Sequence, residues 1–175
     1  MDEDHGDTKT RRGREVKYNA VVITVSDGCF RREKEDLSGP ALAGALEAIG
    51  LTVRQKQIVP DDHSTIVSIL RNYLSDPLVH LIVTTGGTGF GPRDVTPEAT
   101  RELIQRPAPG IAELLRREGA TQTPLSWLSR AEAGIAGNKL IINLPGSTRA
   151  MAHSVEVLKP ILFHALDLLS GAKPH

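Results

Sequence analysis

At 175 residues the chain is long enough for one domain with a real hydrophobic core. Its 39% hydrophobic and 24% charged residues are those of a globular protein, and aromatics at 3% leave that core to Leu, Ile, Val and Ala. With 21 basic and 21 acidic side chains the net charge is zero, which removes any global argument for nucleic-acid or anionic-membrane binding.

The first segment, Met1 to Arg14, mixes acids, bases and glycine with no apolar anchor and no signal-peptide core. Residues 1–15 are therefore expected to form a disordered tail, and residues 16–172 one α/β domain with no further domain. Ala20-Val-Val-Ile-Thr-Val25 is a β-branched run stopped by Ser26-Asp27-Gly28, a buried strand ending in a turn. Leu42, Ala45, Leu46 and Ile49 recur at helical spacing between Ser38-Gly39-Pro40 and Gly50. A second strand fits Leu51 to Val59. Ile66, Ile69, Leu70, Tyr73 and Leu74 form the next helical stripe, broken by Asp76-Pro77. Leu78 to Val83 is apolar enough for a central parallel strand, and a glycine-rich stretch follows it.

Thr96 is expected to cap a helix starting at Pro97, with Glu98 in its first turn. Ile111, Leu114 and Leu115 mark another helix, ended by Gly119. Ala120 to Gly137 shows no clear period. Lys139 to Asn143 is the last strand, and Ser147 opens a long stripe from Met151 to Leu169 that Pro160 should kink or split. Strands alternating with helices imply a single-domain, three-layer α/β sandwich: a mostly parallel central sheet with helices on both faces.

In such a sheet, ligands bind beyond the carboxyl ends of the strands. Three strands here end in small polar loops: Ser26-Asp27-Gly28, Thr84 to Gly91, and Asn143 to Ser147. In the central loop, Gly86, Gly87, Gly89 and Gly91 let backbone N–H groups turn toward a ligand at close range, which suits a phosphate. No Gly-Lys-Ser/Thr follows, so this is not a Walker A loop. Pro92-Arg93-Asp94 stands where a dinucleotide fingerprint needs a helix-opening glycine.

Asp94 has two readings: a carboxylate binding Mg²⁺ that also holds phosphates, or a loop cap paired with Arg93. Asp61 and Asp62 either ligate the same metal or form the turn after Pro60, and the pattern alone favours the turn. Ser147 serves at once as an N-cap and as part of an anion site. Arg130 either clamps phosphate or is an ordinary exposed arginine. His63, His80, His153 and His164 lack ligand spacing and read as structural or surface residues. No Ser-His-Asp or Cys-His arrangement is suggested. Cys29, the only cysteine, excludes an internal disulfide and a four-cysteine zinc site. With no apolar run near 18 residues, a cytoplasmic chain without a membrane span is expected.

The seventeen residues Thr84 to Thr100, Thr-Thr-Gly-Gly-Thr-Gly-Phe-Gly-Pro-Arg-Asp-Val-Thr-Pro-Glu-Ala-Thr, resemble the signature of the molybdopterin adenylyltransferase family. That family includes the bacterial Mog proteins, the related MoaB proteins, and the G domains of gephyrin and its plant counterpart. Val25-Ser-Asp27, Asp36-x-Ser-Gly-Pro40, Val59-Pro-Asp61, Leu128-Ser-Arg130 and Asn143-Leu-Pro-Gly-Ser147 resemble its other motifs, in order, over roughly Lys17 to Gly171.

The resemblance implies a compact α/β fold, usually a homotrimer, using ATP, Mg²⁺ and molybdopterin. AMP would be joined to the pterin's terminal phosphate with release of pyrophosphate, and the product passed to the molybdate-insertion enzyme. By motif position, Asp61 and Asp94 match the family's functional aspartates, here as catalytic groups and Mg²⁺ ligands. Gly86, Gly87 and Thr88 match its pterin-phosphate loop, and Ser129, Pro145, Gly146 and Ser147 its other substrate loops. Ser26, Asp27, Gly89, Arg93 and Glu98 complete the expected substrate-binding set, with Arg93 as neutraliser of transition-state charge. The alternative is a non-catalytic pterin-binding or carrier module of the same fold, as among MoaB-type members. Neither nucleic acid nor membrane is an expected partner.

Overall fold

The structure is a computed structural model and describes residues 18–171. The expected tail at residues 1–15 lies outside them, as do both ends of the expected domain. In chain order the elements are β1 (Asn19–Val25), α1 (Asp27–Phe30), α2 (Ser38–Ala48), β2 (Thr52–Val59), α3 (His63–Ser75), β3 (Leu81–Thr85) and α4 (Thr96–Leu103). They continue with β4 (Arg106–Pro107), α5 (Pro109–Ala120), a 3-10 helix (Pro124–Leu128), β5 (Ala133–Ala136), β6 (Lys139–Leu144) and α6 (Thr148–Leu169).

The six strands form one sheet in the order β2-β1-β3-β6-β5-β4. The first four run parallel; at one edge β5 pairs antiparallel with β6 and β4 antiparallel with β5, so β5 alone runs against the others. Parallel strands point the same way, so Val59, Val25, Thr85 and Leu144 end at one pole of the sheet.

Strand alternation builds two cores. Val22 faces Leu42, Leu46, Leu115 and the α6 stripe of Met151, Val155, Leu158 and Leu162. Val21 and Ile23 face the other way, onto Ile66 and Leu70 of α3 and Ala99 of α4. This is the expected three-layer sandwich. β2, at the edge opposite β4, shows a run of exposed side chains from Arg54 to Ile58, and its Lys and Arg discourage pairing with another sheet.

Four expectations shift. The central strand starts at Leu81 rather than Leu78, because Asp76 holds the preceding residues in a turn. Its carboxylate accepts from the Leu78 amide at 2.9 Å, and its carbonyl accepts from Val79. Thr96 is the first residue of α4 rather than its cap; its hydroxyl donates to the Gly86 carbonyl at 3.1 Å. Pro160 does not split α6, which runs unbroken for 22 residues with the proline on its exposed side. The stretch without a period holds the 3-10 helix and β5. No helix of the described residues is long and apolar enough to cross a membrane.

Candidate active site

The pole where the parallel strands end carries the three polar loops, and each is locked by identifiable bonds. After β1, Ser26 caps α1 by accepting the Cys29 amide. Asp27 and Asp61, at the ends of β1 and β2, clasp each other. The Asp27 amide donates to the Asp61 carboxylate at 2.7 Å, and the Asp61 amide donates to the Asp27 carboxylate at 3.0 Å. Asp62 accepts the Thr65 amide and caps α3, so the second of the two adjacent aspartates is structural. The hydroxyls of Thr65 and Ser64 and the Thr65 amide hold its carboxyl down at about 2.

After β3 the chain needs glycine. Gly86 and Gly87 have φ of 97° and 66°, in the left-handed region. A Cβ on Gly86 would strike the Val25 carbonyl, and one on Gly87 would strike the Thr96 hydroxyl. The Gly86 amide donates to Leu144, and the Thr85 hydroxyl donates to the Pro145 carbonyl at 2.8 Å, pressing the second and third loops together. The amides of Gly87, Thr88 and Gly89 have no protein acceptor among the described residues. They resemble the open N–H groups of an anion-binding nest. Asp94 closes the loop by accepting the Gly91 amide at 2.8 Å.

After β6, Ser147 caps α6, and Gly146 lies with its Cα beside Gly86. A first-turn helix amide set therefore joins the same cavity.

The expected site residues divide between two neighbouring pockets. A polar cavity of about 580 Å³ takes Ser26, Asp61, Gly86, Gly87, Asp94, Gly146 and Ser147. Thr88, Gly89, Ser129 and Pro145 line a second, mostly apolar pocket of about 270 Å³, walled by Leu115, Leu125 and Leu128. The glycine loop and Pro145-Gly146 form the partition.

Asp27, Arg93 and Glu98 line neither pocket. Arg93 forks onto Asp27 at 3.0 and 3.1 Å, so its charge is already engaged and it does not pair with Asp94. Glu98 pairs with Arg130.

The two clasped aspartates are tuned in opposite directions. Burial and the neighbouring carboxylates of Asp27 and Asp94 raise the Asp61 pKa, against the lowering effect of the Asp27 clasp. Burial also opposes ionisation of Asp27, but the Asp61 amide and the Arg93 guanidinium outweigh it and lower its pKa. Asp61 is thus the strained charge of the pair. Among the described residues no group of three or more His, Cys, Asp or Glu side chains forms a ready-made metal cage. Two carboxylates on one cavity suit instead a cation that takes its remaining ligands from water and phosphate.

Sequence reasoning gave no role to two cavity residues, Lys34 and Asp36, although Asp36 stood in one of its motifs. Among the described residues Lys34 is the only Lys or Arg on the polar cavity, and Asp36 lines it too. The Asp36 carboxylate accepts from the Thr24 hydroxyl, the Ser38 hydroxyl and the Gly39 amide. Its signal was available as an acid two residues before the helix start at Ser38. Lys34 had none, lying in a charged loop with no period.

The family described as probable molybdopterin binding domain matches residues 21–164. A molybdopterin adenylyltransferase of Helicobacter pylori is 37% identical over 152 residues, 86% of this chain and 86% of that protein. The Drosophila melanogaster molybdenum cofactor synthesis protein cinnamon is 42% identical over 85% of this chain, which spans 25% of its length. Of two bifunctional molybdenum cofactor biosynthesis proteins, from Synechococcus elongatus and Chlorobaculum tepidum, this chain spans 48% and 50%. The crystal structure of the molybdopterin biosynthesis enzyme MoaB from Thermus thermophilus superposes with a TM-score of 0.83 at 44% identity, covering 90% of this chain and 98% of that one. With these loops in this order on this fold, the chain belongs to the molybdopterin-binding family of molybdenum cofactor biosynthesis proteins.

Proposed function

We propose that this protein is a molybdopterin adenylyltransferase, transferring AMP from ATP to the terminal phosphate of molybdopterin. The observation that carries the reading is the pairing of Asp61 and Asp94 with Gly86 and Gly87 on one cavity, with the open amides of the same glycine loop at its boundary with the second pocket. That arrangement holds anions close together without supplying a protein nucleophile, as adenylyl transfer between two phosphates requires. The Helicobacter pylori relative, named a molybdopterin adenylyltransferase, supports the reading.

An oxygen of the pterin phosphate attacks the α-phosphorus of ATP. The new P–O bond forms as the bond from that phosphorus to the bridging oxygen breaks, and pyrophosphate leaves with the bond's electrons. The amides of Gly87, Thr88 and Gly89 and the first turn of α6 orient the phosphates. The apolar pocket across the loop suits a flat heterocycle. Mg²⁺, held by Asp61 and Asp94, would supply neutralising charge to the phosphates. Arg93, spent on Asp27, sets the clasp rather than meeting the reacting phosphorus. The family resemblance adds a homotrimer, a cytoplasmic setting and delivery of the product to a molybdate-insertion enzyme.

Purified protein mixed with molybdopterin, ATP and Mg²⁺ should release pyrophosphate and yield adenylated pterin. Pterin binding without either product would instead mark a carrier module.

A further inference from the structure

We propose that Arg130 is a positioning residue, the tether that holds the glycine loop and Asp94 in place. The proposal rests on the adenylyl-transfer reading for its kinetic consequences, and on contacts alone for its structural ones. Arg130 comes from the stretch without a sequence period, between the 3-10 helix and β5, and lines neither pocket. Its backbone amide donates to the Thr88 carbonyl at 2.9 Å. The Nε donates to the Gly89 carbonyl at 2.8 Å and one Nη to the Asp94 carbonyl at 2.5 Å. The other Nη pairs with Glu98 in the first turn of α4.

One residue thus grips both limbs of the loop between Thr88 and Asp94, together with the helix that follows. Within those limbs Asp94 bonds across to Gly91, and at the base of the loop Thr96 bonds back to the carbonyls of Gly86 and Gly87. Glycines give a loop the freedom to adopt this shape, but equally the freedom to leave it. A planar guanidinium holds its donors in a rigid fork that reaches acceptors set apart around it, whereas an ammonium gathers its three donors on one nitrogen at the end of a flexible stem. Glu98 holds the guanidinium from behind, and its second oxygen is buried without a hydrogen-bond partner among the described residues. Arg130 therefore acts on the chemistry through the loop amides and through Asp94, without meeting substrate.

Arg130→Ala and Arg130→Lys, compared with the unaltered protein, test this. Hydrogen exchange, measured without substrates, should quicken in residues 86–94 of both variants and stay unchanged in β1 and β3. Pyrophosphate release should lose about 10²-fold in kcat for the alanine variant, with the KM for ATP moving far less, because groups are misplaced rather than removed. The Mg²⁺ concentration needed for half the maximal rate should rise. Added guanidinium ion should restore part of the alanine variant's rate, and lysine should rescue only partly.

Unchanged exchange in the loop, or turnover equal to the unaltered protein's, would overturn the proposal. Exchange that quickens equally through the whole sheet would make Arg130 a general fold residue and overturn it too. Should the alanine variant not fold, the lysine variant carries both measurements. If the unaltered protein releases no pyrophosphate, the adenylyl-transfer reading fails, and the exchange measurement still decides the tether.

Discussion

Asp61 and Asp94 share a cavity but are held differently, and each yields its own test. Asp94 closes the loop through Gly91, so Asp94→Asn keeps an acceptor for that amide while removing a charge. The fold should survive, and kcat should fall about 10²-fold, comparable to losing one preorganised electrostatic group. Normal turnover in that variant would remove Asp94 from the chemistry. Asp61 has its pKa raised by burial and by the carboxylates of Asp27 and Asp94. A raised carboxylate takes up its proton at a higher pH than usual, so the cavity loses negative charge earlier as pH falls. The acid limb of the kcat/KM profile should therefore lie above the ordinary aspartate range. In a carbon-13 carboxyl titration, Asp94→Asn should lower the Asp61 midpoint, since one of the charges that raises it is gone. A midpoint unmoved by Asp94→Asn would show that the two carboxylates do not feel each other.

At the scale of elements, the loop after β3 and the long helix α6 lend themselves to opposite changes. Gly87→Val places a branched side chain at φ 66°, against the Thr96 hydroxyl and 3.1 Å from the Asp61 carboxylate. Titration with molybdopterin should show binding lost, while circular dichroism keeps its helical signature. Pro160→Ala should do the reverse of harm. It restores a backbone donor inside an unbroken, solvent-facing part of α6, so denaturant unfolding should show a gain between about 1 and about 3 kcal/mol.

The same helix shows where sequence reading is strong and where it is weak. The stripe Met151, Val155, Leu158, Leu162 was legible because one core face repeats at helical spacing. The proline was overread because its cost depends on which side of the helix meets solvent, a property of packing. β1, β3 and β6 were legible as apolar runs, but β4, with two residues, and β5, Ala-Gly-Ile-Ala, carry no pattern of their own. β5 owes its strand character to pairing with β6, and β4 to pairing with β5. In the site, the glycines, Asp61 and Asp94 were visible as motifs. The occupation of Arg93 by Asp27, 66 positions away, was not, because only the folded sheet brings those loops together.

For the whole molecule, the test is mass. The proposed trimer should give three times the chain mass by light scattering at micromolar concentration, and a monomer there would refute it. Exposed large apolar side chains are the surface feature that favours self-association, and three of them, Leu125, Trp127 and Leu128, sit together on the 3-10 helix. Trp127 has a second consequence, an optical one. It is the chain's single tryptophan, 58% exposed, on the short helix whose Leu125, Ser126 and Leu128 wall the apolar pocket. Ultraviolet emission excited at the red edge of protein absorption therefore arises from one indole at one address. The protein comes with its own fluorophore beside the pocket, and a bound ring or a docked subunit at that spot would register as a change in colour and brightness, without a label.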